Sequence, residues 1–110
     1  MSRVLLFEVY TARFPFLDIN KDKIRPIIVV SKPYGQHNTI TVIPVSSKHK
    51  QESAEVQLHD WHQAGLVKPS VARVYRLTTI LRSDLTNKLG ILSESDKENI
   101  KQAIKKLLDL

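Results

Sequence analysis

Short apolar runs alternate with polar segments that contain Pro, Gly and Asn over most of the chain, and only its last part has a helical period. Runs rich in β-branched residues between turn-forming segments are typical of β-strands. In the first run Phe7, Val9 and Thr11 alternate with polar positions. Residues 32–38 have the Pro, Gly and Asn of a hairpin loop. The pattern predicts strands at residues 5–14, 27–31, 39–46, 55–58 and 70–80.

The C-terminal segment has the repeat of an amphipathic helix. Ser93 is predicted as its N-cap, with Asp96 three residues later. Apolar residues then recur at intervals of three and four, at Ile100, Ala103, Ile104, Leu107 and Leu108. We expect this stripe to pack on the strands, and the lysines on the other face to be solvated. Several strands followed by one helix, without alternating β-α units, favour a barrel over a doubly wound sheet.

A basic side chain precedes the second apolar run. Pro26 follows Arg25 and leads directly into residues 27–31. The residue before a proline is driven towards extended geometry, and proline is tolerated at the start of a strand or on an edge. Arg25 is therefore predicted at a strand entrance. By itself an Arg-Pro pair is more often a surface arginine that covers the end of a strand.

Composition limits the partners and the chemistry. The chain has 110 residues, of which 42% are hydrophobic, enough for one domain with a modest core. There are 17 Lys and Arg against 11 Asp and Glu, a net charge of +6 that suits a polyanionic partner. Charge does not distinguish RNA from DNA, an acidic protein or a membrane surface. The absence of cysteine excludes disulfides, thiolate metal sites and cysteine nucleophiles.

The chain offers no candidate membrane or export segment. The apolar run near the N-terminus is broken by Glu8 and is too short for a signal peptide core. No later run approaches the ~20 apolar residues of a membrane helix. We therefore expect a cytoplasmic protein without a membrane partner.

Five further segments, in this order and with these gaps around Arg25, resemble the MazF/PemK family of toxins. The resemblance runs from about Val4 to the C-terminus. The segments are residues 14–18 (FPFLD), 40–48 (ITVIPVSSK), 65–73 (GLVKPSVAR), 77–80 (LTTI) and 89–93 (LGILS).

The resemblance implies a fold, an activity and partners. The implied fold is mainly β with α, a small half-open SH3-like β-barrel with a C-terminal amphipathic helix, in a single domain over residues 1–110. The implied protein is the toxin of a type II toxin–antitoxin pair. It is an endoribonuclease that cleaves single-stranded RNA without a metal ion or other cofactor, usually as a homodimer. Its implied protein partner is a small acidic antitoxin.

The family's motif residues carry over to Arg25 and Ser46 as catalytic residues. Metal-independent cleavage uses the ribose 2′-OH as nucleophile and leaves a cyclic phosphate and a 5′-OH. An arginine suits stabilisation of the phosphorane oxygens, because its charged planar fork donates two hydrogen bonds to one phosphate. It is a poor general base because it is effectively always protonated, so the base stays unassigned.

One position departs from the family. Many members carry Asp or Glu two residues beyond the arginine that matches Arg73, where this chain has Tyr75. Tyr75 is interpreted as stacking on a base, donating a hydrogen bond or filling space. Arg73 is interpreted as binding phosphate or acting as acid, and an ion pair with Glu55 or Asp60 is an equally good interpretation.

Loop residues complete the predicted substrate-binding set. Lys21 and Lys23 are expected to steer phosphates, and so are Ser47 and Lys48; solvation of these loop charges is an equally good interpretation.

The pair formed by His59 and His62 is weak evidence for a metal site, because zinc needs three or four protein ligands. A role as the missing base is a minor alternative, since histidine titrates near neutral pH. Trp61, between the two, is expected to be a core or interface anchor.

Three alternatives to a nuclease remain. In the first, the chain is a toxin-fold protein that inhibits a target such as gyrase, as the similar CcdB toxins do. In the second, it is a catalytically silent member that sequesters an antitoxin. In the third, it is a simple RNA-binding SH3-like module. Arg25 and Ser46 favour the enzyme, and the loss of the acid at Tyr75 favours the silent member.

Overall fold

The computed structural model describes residues 3–13, 24–48 and 54–110, which form one sheet and a C-terminal helix. Short 3-10 turns, Val74–Arg76 and Arg82–Asp84, precede the last two strands. The elements are β1 (Glu8–Arg13), β2 (Ile24–Val29), β3 (Thr39–Ser46), β4 (Glu55–Gln57), β5 (Val71–Arg73), β6 (Thr78–Leu81), β7 (Leu85–Ile91) and α1 (Glu94–Leu108).

The seven strands pair antiparallel in the order β4-β5-β3-β2-β1-β7, and β6 pairs with β3 outside this path. One side of β3 is therefore shared by two strands: β6 pairs with residues 39–42 and β5 with residues 45–46. The two ends of the order, β4 and β7, are not paired with each other, so the sheet is open. This is the mainly β, half-open architecture with a terminal helix that the sequence predicted.

The central strands bury side chains on both faces, which explains their continuous apolar runs. Ile28 and Ile43 belong to the cluster that packs against α1 through Ile100. Their neighbours Ile27 and Val42 belong to a second cluster on the other face. Antiparallel strands that bury one face alternate apolar and polar residues, whereas strands buried on both faces do not.

The first two strands differ from their predicted bounds. β1 starts at Glu8, because Phe7 has a positive φ of 67° and ends the extended geometry there. β2 starts at Ile24, so Arg25 and Pro26 lie inside the strand rather than before it. Its pairing with β3 begins only at Ile27. Pro26 is therefore paired with β1 alone, a position where a missing N–H donor is tolerated.

The predicted strand at residues 70–80 is two strands. Ala72 pairs with Val45 and Thr78 with Val42, so six residues of this segment advance along only three residues of β3. The 3-10 turn Val74–Arg76 takes up the excess length. The strand β7 was not predicted from the sequence, because its apolar residues Leu85, Leu89 and Ile91 are separated by polar residues and glycine.

The helix and the hairpin agree with their predictions. Ser93 caps α1 by accepting a hydrogen bond from the Asp96 amide at 3.2 Å. Ile100 is buried and Ile104 packs against the core, whereas Leu107 and Leu108 are exposed, so the predicted stripe packs on the strands only over its first part. The hairpin between β2 and β3 closes through a bridge between Tyr34 and Thr39.

Residues 59–66 are held against the sheet and the helix, and they position one wall of the cleft described below. The Asp96 carboxylate, fully buried, accepts hydrogen bonds from the amides of His59 at 3.0 Å and Asp60 at 2.9 Å. At the end of this loop Gly65 has a positive φ of 87°, and a Cβ there would collide with the Leu89 carbonyl. Glycine thus permits the close approach that brings Leu66 to the cleft.

Candidate functional site

A cleft of about 520 Å³ lies where β2 begins and β3 ends. Its cationic lining residues are Arg25, Lys48, Lys68, Arg73 and Arg76. No Asp or Glu of the described ranges is among the lining residues. This arrangement concentrates positive charge on one concave surface, which attracts anions.

Arg25 reaches the cleft from inside β2, where it pairs with Ala12 of β1. Its side chain is half-buried at the edge of the core rather than within it. The strand ladder holds the backbone of Arg25, so its side chain begins at a fixed point beside the cleft. Its permanent charge and planar donor fork suit a phosphate.

Ser46 is the last residue of β3 and lines the same cleft. Its Oγ accepts a hydrogen bond from the Lys48 amide at 3.0 Å and lies 3.4 Å from the Lys48 carbonyl, to which it donates. These contacts close a turn of residues 46–48, which places Ser47 and Lys48, both exposed, on the rim. The structure therefore brings Arg25 together with Ser46, Ser47 and Lys48, as the predicted site requires.

Arg73 joins the cleft to a buried carboxylate. It lies opposite Glu55 in the β4–β5 ladder, with 3.5 Å between Arg73 Nε and Glu55 Oε2. Arg73 Nη2 also donates to the Lys48 carbonyl at 2.9 Å. Of the two ion pairs that the sequence left open, the structure contains the one with Glu55. Asp60 is instead an exposed residue of the loop held by Asp96.

The remaining predicted binding residues are placed differently. Tyr75 is half-buried in the 3-10 turn and is not among the cleft-lining residues; the Arg76 guanidinium carbon lies 5.7 Å from its ring centroid. Lys21 and Lys23 lie outside the described residues. The sequence analysis missed Lys68 and Arg76 as cleft residues. Lys68 lies within a segment that carries the family resemblance, which was a usable signal.

The histidine pair does not belong to this cleft. His59 and His62 are exposed on the loop of residues 59–66 and are not among the lining residues. Trp61 packs against the core, as expected, and meets the His62 ring edge-on at 5.8 Å. Within the described ranges no three His, Asp or Glu side chains are grouped as a metal ion would require.

A second charged cluster surrounds Glu8 at the opposite end of β1. The buried Glu8 carboxylate accepts hydrogen bonds from the Leu5 amide at 2.7 Å and the Tyr10 hydroxyl at 3.3 Å, and it forms an ion pair with Lys88. Burial raises the pKa of Glu8, but these partners outweigh burial and leave the pKa below its ordinary value. Burial and the neighbouring Glu8 charge raise the pKa of Tyr10.

Beyond this cluster, a second cavity of about 710 Å³ is lined by the N-terminal segment and the hairpin, from Arg3 to Leu6 and at Lys32 and Pro33. It lies at the end of β2 opposite to Arg25. In the described part of the chain, no helix is long and apolar enough to cross a bilayer.

A family model and solved structures resemble this chain. The model describes the PemK-like, MazF-like toxin of type II toxin–antitoxin systems and matches residues 6–108. The toxin MazF-mt6 of Mycobacterium tuberculosis is 26% identical, with a TM-score of 0.73 over 94% of this chain and 97% of that one. No curated protein sequence is significantly similar.

Two solved complexes share the fold at lower identity. A mycobacterial endoribonuclease in complex with its cognate antitoxin is 15% identical, with a TM-score of 0.74 over 97% of this chain and 96% of that one. A MazE–MazF complex from Deinococcus radiodurans is 18% identical, with a TM-score of 0.78 over 99% of each chain.

Proposed function

The chain belongs to the PemK-like, MazF-like toxins of type II toxin–antitoxin systems, and from this premise we propose that it is an endoribonuclease that cleaves single-stranded RNA without a metal ion. The observation that carries the proposal is the cleft, where Arg25 and Ser46 share a concave surface with four further cationic side chains. Such a surface is suited to a chain of phosphates, which supply much of the affinity of proteins for nucleic acids.

The reaction is an internal transfer at phosphorus. The ribose 2′-OH attacks the adjacent phosphorus, the bond from phosphorus to the 5′ oxygen breaks, and that oxygen leaves as a 5′-OH. The other fragment ends in a 2′,3′-cyclic phosphate. Arg25 stabilises the charge that develops on the non-bridging oxygens, and the Ser46 hydroxyl exchanges its long contact with the Lys48 carbonyl for a hydrogen bond that it donates to them.

Apolar side chains beside the cations favour a single-stranded substrate. Ile24 is 50% exposed and Val67 is 88% exposed, and both line the cleft. Bases that are not stacked in a duplex can pack against such surfaces while their phosphates bind the cations. The RNA strand is then contacted on one side by Ser47, Lys48 and Arg73. Lys68 and Arg76 are additional phosphate ligands. Tyr75 remains a predicted ligand outside this lining, and Lys21 and Lys23 remain predicted ligands outside the described residues.

The proposed protein partners are a second copy of the chain and a small acidic antitoxin, in the cytoplasm. A small core gains stability from a twofold, self-complementary interface. The antitoxin segment covers the cationic cleft, is partly disordered when free and becomes ordered on binding. Sedimentation at micromolar concentration tests the dimer. The antitoxin proposal is tested by two measurements: the bound antitoxin should prevent RNA from binding, and the antitoxin should bind more weakly at high salt.

The deciding experiment measures cleavage of a mixed-sequence RNA in EDTA by the wild type, Arg25→Ala and Arg25→Lys. Loss of a charge-stabilising donor lowers a rate by about two to three orders of magnitude. Arg25→Ala should therefore nearly abolish cleavage. Arg25→Lys should also be impaired, because an ammonium lacks the bidentate fork. Arg3→Ala, which removes an exposed arginine at the opposite end of the molecule, is the matched control and should cleave normally.

Ser46 variants and the reaction products complete the test. Ser46→Ala should reduce cleavage less than Arg25→Ala, and Ser46→Thr should largely preserve it because the hydroxyl remains. The products should carry a cyclic phosphate and a 5′-OH, and RNA with a 2′-deoxy residue at the cut site should resist. Full activity of Arg25→Ala, or cleavage of the deoxy-substituted strand, would refute the proposed site and nucleophile. RNA binding by the wild type without cleavage would favour a binding module instead.

A further inference from the structure

We propose that Glu55 is a positioning residue of the cleft, which acts through Arg73 on the turn that carries Ser46. Its carboxylate lies opposite Arg73 in the β4–β5 ladder, and only 2% of its side chain is exposed. A group this buried does not reach a substrate phosphate. Removing one member of a buried ion pair leaves an uncompensated charge, so Glu55 holds the Arg73 guanidinium group on the protein side of the cleft.

Arg73 transmits this constraint because a guanidinium group is a rigid plane. Its Nε faces Glu55 at 3.5 Å, while its Nη2 donates to the Lys48 carbonyl at 2.9 Å. The ion pair at Nε and the hydrogen bond at Nη2 are two contacts on one rigid plane, and together they set its orientation. The Arg73 side chain is itself only 11% exposed, so its main contacts are with the protein.

The turn of residues 46–48 is the last link. The Lys48 amide donates to Ser46 Oγ at 3.0 Å, and the carbonyl of the same residue accepts from Arg73. Lys48 thus connects the guanidinium group to the hydroxyl at the end of β3. Glu55 orients Arg73, Arg73 anchors Lys48, and Lys48 sets the direction of the Ser46 hydroxyl. This role rests on the proposed nuclease activity, in which Ser46 contacts the reacting phosphate.

Glu55→Gln tests the role because it keeps the side-chain shape and removes the charge. Small displacements of a positioned group lower turnover by up to about 10²-fold, and we expect kcat for RNA cleavage to fall about tenfold. Since the cleft loses a nearby negative charge, KM and the Kd for an uncleavable 2′-deoxy strand should stay within about twofold or decrease. A purely structural role would lower the folded fraction and leave kcat per folded molecule unchanged, so kcat is expressed per folded molecule.

Amide hydrogen exchange gives a readout that does not depend on cleavage. In Glu55→Gln the Lys48 amide should exchange about tenfold faster, whereas the buried Ile100 amide in α1 should be unchanged, since only local opening is affected. If the wild type cleaves no RNA but this exchange pattern appears, the nuclease proposal fails and the Glu55–Arg73–Lys48 connection stands. Unchanged exchange at Lys48 together with unchanged kcat would overturn the inference.

Two further variants keep the test decisive. Arg73→Lys retains a cation opposite Glu55 but lacks the rigid fork, so it should also speed exchange at Lys48. If Glu55→Gln does not fold, Arg73→Lys is the deciding variant. Exchange of the Lys48 amide in Arg73→Lys that is as slow as in the wild type would then overturn the inference. The control is Glu94→Gln, which removes an exposed carboxylate from the surface ion pair with Lys97 and should change neither kcat nor exchange at Lys48.

Discussion

Glu8 and Glu55 are both buried carboxylates that face a basic side chain, but the two pairs are built in opposite ways. Each glutamate side chain is 2% exposed. Glu8 accepts hydrogen bonds from a backbone amide and a hydroxyl in addition to its ion pair, and its cation, Lys88, is 54% exposed. In the Glu55 pair the cation Arg73 is buried as well, with 11% of its side chain exposed, and it makes the onward hydrogen bond, to Lys48.

The difference shows how one type of pair serves two purposes. At the Glu8 end the carboxylate accepts hydrogen bonds from the surrounding donors and so connects the N-terminal segment to β1. At the cleft end the anion orients a cation, and the cation reaches the turn of residues 46–48. We therefore expect neutralising Glu8 to lower stability alone, and neutralising Glu55 to lower both stability and activity, because Arg73 is left as a buried charge without its carboxylate.

Glu8→Gln should lower stability without lowering activity. Hydrogen bonds to charged groups contribute about 1.5 to 3 kcal/mol each to stability, and Glu8 accepts such bonds from Leu5 and Tyr10. We expect the free energy of unfolding, measured in urea, to fall by about 2 kcal/mol. RNA cleavage per folded molecule should be unchanged. Glu55→Gln should lower cleavage per folded molecule in addition to stability, and an unchanged rate per folded molecule in Glu55→Gln would remove the distinction.

Acid should produce a smaller change, and its sign follows from the lowered pKa of Glu8. A carboxyl group with a lower pKa in the folded state stabilises the protein above its unfolded pKa, and that contribution is lost as the pH falls through the folded pKa. The stability difference between the wild type and Glu8→Gln should therefore narrow as the pH falls below about 4.5, the ordinary pKa of this group. Urea unfolding at pH values from 7 to 3 measures this stability difference. A difference that widens in acid would contradict the assigned partners.

Tyr10→Phe should have the smallest effect. The variant removes a single hydroxyl that donates to Glu8 at 3.3 Å and keeps the buried ring in the second apolar cluster. Hydrogen bonds to charged groups contribute about 1.5 to 3 kcal/mol, but this one is long, so its contribution should lie at or below the lower end of that range. Thermal unfolding should show a slight decrease in Tm. A loss as large as that of Glu8→Gln would mean that Tyr10, rather than the Leu5 amide, is the main partner.

Local chemistry in the sequence was enough to predict several elements. Thr39–Ser46 was predicted with its observed bounds, because β-branched residues follow a loop with Pro, Gly and Asn. Ser93 was predicted as the N-cap of α1, because a hydroxyl and the helical repeat lie within a few residues of each other. The family resemblance pointed to Arg25 and Ser46, and the structure brings both to one cleft.

Pairing across the sheet decided the rest. The break at Val74–Arg76 depends on how far β3 extends beside two strands, and a period of two residues does not report the partner of a strand. The choice of Glu55 over Asp60 as the partner of Arg73 depends on the β4–β5 register. An alternating pattern indicates which residues share a face of the sheet. Contacts between distant residues are set by the strand register, and the packing of the core selects that register.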